Sequence, residues 1–361
     1  MKGVIEVTTE QPLLGLLPKM PITTFEGWRQ HVARTQEARP QVPSKNEWQR
    51  MPNEEKTRAK RERLVWIAEL TPIPTVETDK FMAEVIETAS TNYRAAPGAR
   101  PGFVLEGLAT LGKSTTFQEL GRKYELDLRK TFGLGLSEDA GLNIFLPVAY
   151  VTLPGLVTIK TFNHELVRFY GVPISKNANE QESTDAVVSA ANGCATTLIL
   201  VDDIHFLKLR NRSAQAVNDH LKSLASRISA TFGYAGVALD ESGLFLEGRS
   251  EESRTKSQTT HRFSRYTLFP FELGSEECRE FLLKFEAQLC LINQAPGSIL
   301  KLDKYIHSRT RGFKGAIAQL LKLGARKAIR EGKECLSIEI LDQIRLDDAS
   351  ESTRTPKTRH G

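Results

Sequence analysis

The sequence has no apolar run near the ~18 residues that a membrane-spanning helix requires. Its start, MKGVIEVTTEQPLLGLLPK, lacks the basic stretch and unbroken apolar segment of a secretory signal, so a cytoplasmic protein is expected. Cysteine is scarce. Cys194, Cys278, Cys290 and Cys335 stand far apart, with no CxxC pair and no histidine at ligand spacing. That pattern argues against a disulfide framework or a zinc site and leaves buried, reduced thiols. Charge is nearly balanced: 49 Lys+Arg face 44 Asp+Glu, and a dispersed net +5 calls for no polyanionic partner by itself. There is no internal repeat. With 40% hydrophobic and 26% charged residues, the composition also excludes wholesale disorder and a coiled-coil rod. The 361 residues have room for about two domains.

What is present divides into four regions. Residues 1–75 are polar and interrupted by proline, with aromatic anchors Trp28 and Trp48 and a basic run, KTRAKRER, at 56–63. TPIPT at 71–75 ends any preceding helix, since each proline disfavours helix in the residue before it. Residues 76–273 alternate short apolar runs with amphipathic stretches. FVLEG (103–107), NIFLPVAYVTL (143–153), TLILVDD (197–203), FGYAGVAL (232–239) and YTLFPF (266–271) read as buried strands. Strands alternating with helices predict an α/β fold, a parallel sheet with helices on its faces. Residues 274–346 lose the strand signal and read as a helical region, with Gly332 a C-cap. The tail, 347–361, has no apolar face and is expected to be disordered. Polar stretches at 175–185 and 247–258 read as loops off the core.

The sharpest signal is GLATLGKS at 107–114, which fits G-x-x-x-x-G-K-[ST] directly after a strand and before a helix. Gly107 and Gly112 let the backbone turn so that the amides of Leu108, Ala109, Thr110 and Leu111 can face phosphate oxygens. The helix that follows, opening at Lys113, Ser114 and Thr115, adds its positive N-terminus. Lys113 is the point charge for β- and γ-phosphates, and Ser114 can complete a Mg²⁺ shell. The second half of the site is TLILVDDIHFL at 197–207, a buried strand delivering paired carboxylates to the sheet's C-terminal edge. Asp202 is the candidate Mg²⁺ ligand and Asp203 the candidate general base for an attacking water. A plain capping pair is the alternative. ATP and Mg²⁺ are the expected cofactors. The second acid is the short Asp rather than a Glu, which points to slow or partner-stimulated hydrolysis.

Taken together, FVLEGLATLGKSTT, LPVAYVTLPG, TIKTFNHELVRFYGVP, TLILVDDIHFL, YAGVALDESGLF, HRFSRYTLFPFEL and TRGFKGAIAQLLKLGARKAIREG resemble the TniB/TnsC family of AAA+ ATPases over roughly residues 60–346. The resemblance implies a P-loop AAA+ core, a C-terminal α-helical lid over 274–346 and an N-terminal extension. It further implies a bacterial regulator of DNA transposition that oligomerises with ATP, as filament or ring, on duplex DNA. Such a protein links a target-selection protein to a DDE transposase. Arg262, or Arg265 as the close alternative, matches the arginine finger that reaches a neighbouring subunit's γ-phosphate. Two positions depart from the family pattern. Val237 stands where a polar first sensor is expected, with Asp240 farther out, and Ala316 stands at the second sensor, leaving Lys314 or Arg311 as substitutes.

Residues 301–330 hold nine Lys/Arg against one acid, Asp303, a density suited to phosphate contacts or simply to a solvated helix face. The resemblance places duplex contacts mainly in the core, where Lys160 is the candidate, with Lys208, Arg210 and Arg212 behind it. Residues 1–75 either dock on a partner through Trp28 and Trp48 or pack over the core. A different function class stays open: a AAA+ or STAND-like NTPase switch in defence or signalling that acts on proteins without DNA. A replication-type loader is a third reading, disfavoured by the short sequence after residue 346.

Overall fold

The computed structural model describes residues 20–35, 38–95, 100–139, 141, 144–153, 158–175, 177–204, 212–237 and 263–347. Four helices come first: α1 (Phe25–Ala33), α2 (Lys45–Arg50), α3 (Asn53–Ala68) and α4 (Val76–Asn92). The sheet contains β1 (Gly102–Glu106), β2 (Val148–Thr152), β3 (Leu198–Asp202), β4 (Thr231–Gly236) and β5 (Phe263–Thr267). Helix α5 (Lys113–Thr131) follows β1, α6 (Ile159–Phe169) and α7 (Glu180–Gly193) lie between β2 and β3, and α8 (Arg212–Arg227) precedes β4. The C-terminal part holds α9 (Glu276–Gln288), a 3₁₀ turn (Ser298–Leu302), α10 (Asp303–Thr310), α11 (Lys314–Glu331) and α12 (Ile338–Asp342).

All five strands run parallel, in the order β2-β3-β4-β1-β5. Strands β1 to β4 are apolar and almost wholly buried, because helices cover both faces of a parallel sheet. β5 is an edge strand and largely exposed. The chain leaves β1 for the far edge, fills back through β3 and β4, and then crosses to the other side of β1. Crossovers thus depart from β1 in opposite directions, and a crevice opens outside its C-terminal end. The parallel α/β sheet and the helical C-terminal region expected from the sequence are both present.

Two apolar cores form. One fills the sheet and its flanking helices; the other joins α9 to α12. The segment before residue 76 is divided between them. Trp28 of α1 is fully buried, donates from Nε1 to Glu125 at 2.8 Å and stacks on Tyr150 with ring centroids 6.0 Å apart. It is a core residue, which corrects the partner-docking alternative for Trp28 in favour of the alternative that packs over the core. Trp48 is partly buried, with the Arg63 guanidinium 5.2 Å from its ring. Helix α3 belongs to the C-terminal core: Trp66, Ile67 and Leu70 are buried there, and Trp66 Nε1 donates to the Gln288 carbonyl at 2.8 Å. Arg63, wholly buried, donates to both carboxylate oxygens of Glu334 at 2.6 and 3.0 Å and to the Cys290 carbonyl at 3.2 Å.

A second correction concerns the polar stretch at 175–185. Its latter half is not loop but the first turns of α7, opened by Asn179 in a capping box with Glu182. Asn at the N-cap with Glu three residues on satisfies the first amides and starts the helix despite the polar composition. The stretch at 247–258 lies outside the described residues, as does the tail beyond Asp347. No helix among the described residues is long and apolar enough to cross a membrane.

Candidate nucleotide-binding site

The loop after β1 is built to leave donors outward. Leu111 is buried and anchors it, while Leu108, Ala109 and Thr110 are exposed. Thr110 (φ 62°) and Gly112 (φ 92°) both lie in the left-handed region, so successive amides turn toward one side. At Gly112 a side chain would strain the backbone, which is why glycine holds this position. Among the described residues, the amides of 108–112 find no hydrogen-bond acceptor. Helix α5 then presents its unpaired first-turn amides and positive dipole end at the same place. That concave set of outward N–H groups fits a chain of phosphates.

Lys113 is buried, and its Nζ donates to the carbonyls of Gly107 at 2.7 Å and Leu108 at 2.8 Å. An ammonium has three protons, so one remains for another acceptor. Burial holds the Lys113 ammonium below the ordinary lysine range, against the opposing pull of Asp202 and Asp203. Those two acids stand at the end of β3, separated from β1 by β4 alone. Asp202 is 1% exposed; its Oδ1 accepts the Asp203 amide at 2.9 Å and its Oδ2 accepts the Tyr150 hydroxyl at 2.7 Å. Asp203 is half-buried with φ 59°, a left-handed conformation that Asp tolerates better than most residues. Ser114 sits half-buried in the first turn of α5.

The oxygen donors suit Mg²⁺. Mg²⁺ in nucleotide sites takes one or two protein oxygens and leaves the remaining positions to phosphates and water. The Ser114 hydroxyl and Asp202 carboxylate are hard donors of that kind. No group of three His, Cys, Asp or Glu side chains among the described residues forms a self-contained metal cage.

The sequence reading missed one wall of the site. TPIPT, read only as a helix breaker, lines a cavity of about 300 Å³ with Pro72, Ile73 and Pro74. Leu111 and Thr115 of the loop region form another side, and Phe281 and Phe285 of α9 a third. The paired prolines fix an extended backbone, a signal that could have marked the segment as a wall. The slot is apolar and opens beside the phosphate-facing loop, a shape suited to a flat heterocycle. The C-terminal helices close on it directly. The Gly315 amide at the start of α11 donates to the Thr110 carbonyl at 2.8 Å, and a Cβ at Gly315 would lie 2.7 Å from that oxygen.

The remaining expected residues divide. Lys314 lines the cavity, but its ammonium pairs with Glu77 of α4 and lies 5.1 Å from the Phe271 ring centroid. Arg311 caps α10 in a left-handed conformation and is exposed. Arg265 lies exposed in the middle of edge strand β5, in register with Val104. Lys160 is in the first turn of α6, on the same sheet edge as the loop but beyond β2, at the far side. Arg262, Lys208, Arg210 and Asp240 lie outside the described residues. The nine basic residues at 301–330 do not make one face. Arg309 is buried on backbone carbonyls, Lys314 is paired, and Lys322 donates to the Leu70 carbonyl at 3.1 Å. Arg326, Lys327 and Arg330 line a groove of about 340 Å³ with Arg345.

Residues 99–237 match a family model described as an AAA domain. No curated protein sequence matches the chain. Among solved structures, the chain is similar to the Aeropyrum pernix ORC1 protein in complex with DNA, at 15% identity and TM-score 0.56, covering 80% of this chain and 68% of that one. It is similar as well to the Aeropyrum pernix ORC2 protein (ADPNP-ADP complexes), at 14% identity and TM-score 0.52, covering 79% of this chain and 69% of that one. With its loop after β1, its strand order and its helical C-terminal region, the chain has the P-loop AAA+ fold, and residues 99–237 are similar to an AAA domain.

Proposed function

We propose that this protein binds and hydrolyses ATP with Mg²⁺ and, in its ATP-bound form, assembles on duplex DNA to regulate transposition. The observation that carries the nucleotide part is the convergence of Lys113, Asp202 and Asp203 beside a loop of outward amides. The loop amides and the α5 N-terminus hold the phosphates, and the free proton of Lys113 reaches the terminal ones. Ser114 and Asp202 hold the metal, which supplies neutralisation of the charge developing on the phosphate oxygens. Asp203 accepts a proton from the attacking water, its short side chain and the apolar Val237 at the first-sensor position limiting the rate. The adenine lies in the slot walled by TPIPT and α9, so the lid senses whether the site is filled.

The DNA part rests on three things: the family resemblance of the residues, the basic groove of the lid, and the fold neighbour whose structure is in complex with DNA. In this reading the protein forms a filament or ring in which Arg262 or Arg265 reaches the adjoining subunit's nucleotide. It connects a target-selection protein with a DDE transposase. Negative-stain imaging with duplex DNA and ATP, a non-hydrolysable analogue or no nucleotide tests this. Assemblies that need both DNA and nucleotide support the proposal; monomers under every condition overturn it.

A further inference from the structure

We infer that Tyr150 is a positioning residue for the metal: its hydroxyl fixes the Asp202 carboxylate relative to Ser114, and Trp28 fixes Tyr150. The inference rests on the reading of Asp202 and Ser114 as the Mg²⁺ ligands. An ionised carboxylate has about four lone-pair sites and two soft torsions. Here one site on Oδ1 takes the Asp203 amide at 2.9 Å and one on Oδ2 takes the Tyr150 hydroxyl at 2.7 Å. Each oxygen keeps a lone pair for the metal's shell while both torsions are fixed.

Tyr150 is itself held from two further elements. It is 2% exposed, and its parallel register with Leu200 puts it two residue pairs behind Thr152 and Asp202, on the same face. The Gln118 side-chain amide donates to its oxygen at 3.2 Å. Gln118 lies one helical turn after Ser114 on α5, and residues four apart share a helix face. Through Tyr150, then, the carboxylate ligand is tied to the helix that carries the hydroxyl ligand. On the other side the Trp28 ring stacks on Tyr150 at an interplanar angle of 15°, and Trp28 is fastened by its Nε1 bond to Glu125 of α5. A helix of the N-terminal segment thereby contributes to the metal site without touching it.

Partners of this kind, one shell beyond the ligands, typically change metal affinity by about 10–100-fold when removed. The test follows binding of a fluorescent ATP analogue to the full chain while Mg²⁺ is titrated from an EDTA-buffered baseline. Tyr150→Phe is expected to raise the Mg²⁺ midpoint about 10-fold and to leave analogue affinity in EDTA unchanged. In an Asp202→Asn background the same substitution should shift nothing further, which a general packing defect would not reproduce. Trp28→Phe keeps the hydroxyl but loosens the ring, so an intermediate shift is expected; it carries the test should Tyr150→Phe fail to fold. An unchanged or lower Mg²⁺ midpoint in a folded Tyr150→Phe protein overturns the inference alone. Absence of nucleotide uptake by the wild-type chain overturns the nucleotide reading and this inference with it.

Discussion

Lys113 shows how much a single side chain carries at this site. Its ammonium spends two protons on the Gly107 and Leu108 carbonyls, so it braces the loop and, in the proposed function, also offers charge to a phosphate. A charge-assisted hydrogen bond contributes about 1.5–3 kcal/mol, so losing the one left for phosphate in Lys113→Ala is expected to weaken ATP binding about 10–100-fold; calorimetry in Mg²⁺ checks it. In the proposed function, Asp203 separates binding from turnover. Asn keeps both the length of the side chain and the tolerance for φ 59°, so Asp203→Asn should preserve ATP affinity while slowing hydrolysis by about 100-fold or more. Unchanged turnover removes Asp203 from the proton-accepting role. Histidine sets a pH dependence of stability. Burial lowers His31 and His220 from 6.5, with the Gln118 carbonyl opposing it at His31. Above 6.5 both are neutral in folded and unfolded chains; below it the unfolded chain takes up protons that the fold resists. Stability is therefore complete above that value and is lost as pH falls through it. Melting temperature should drop from about pH 6.5 to about 5, and His31→Gln should flatten part of the drop.

At the scale of elements, two contacts join parts of the chain that local sequence does not connect. The first is Gly315 against Thr110. With only 2.7 Å available, a Cβ forces the start of α11 away from the phosphate-facing loop. Gly315→Val is expected to weaken ATP binding about 10-fold while costing little stability, since α11 keeps its other packing; paired calorimetry and urea unfolding separate the two. The second is Arg63 with Glu334, a wholly buried pair that fastens α3 to the C-terminal helices. Removing one partner strands the other charge, so Arg63→Met should cost about 3–5 kcal/mol in urea unfolding. Adding Glu334→Leu should recover much of that loss. Four of the strands and the phosphate loop were legible in the sequence because their signals are local: apolar runs, and glycines at fixed spacing beside a lysine. The fifth was expected at 266–271, but β5 is the largely exposed Phe263–Thr267, an edge strand without an apolar run to mark it. Trp28, Arg63 and TPIPT were not legible either. Their partners are Glu125, Glu334 and the α9 phenylalanines, and only the closed fold says that these approach. A buried Trp or Arg in a polar, proline-broken stretch looks the same in sequence as an exposed one. Tyr150 lay between these cases, since once β2 and β3 are known to be parallel and in register, its hydroxyl falls beside Asp202.

For the whole molecule, the question is where net positive charge meets solvent. Part of the basic density at 301–330 is spent on folding, because Arg309, Lys314 and Lys322 bond internal carbonyls and Glu77. Lys301, Lys304 and Arg311 stay exposed, and Arg326 and Arg330 line a groove with Arg345; Lys327 beside them is paired with Glu331 at 2.6 Å. Guanidinium groups without interleaved aromatics contact phosphates and read no bases, so affinity for duplex should be indifferent to sequence and steep in salt. Each phosphate contact contributes about one unit to the slope of log affinity against log salt. Arg326→Gln combined with Arg330→Gln should therefore lower that slope by about 2 and weaken binding of unrelated duplexes equally, measured by fluorescence anisotropy with ATP present. ATP affinity should not change, because the groove is walled by α11 and by residues 343–345 and not by the phosphate loop. A wild-type slope near zero removes DNA from the proposed function and leaves the reading of an NTPase switch that acts on protein partners. A steep slope that the double substitution does not alter moves the contact off the lid and onto the core, where Lys160→Ala is the next variant to measure.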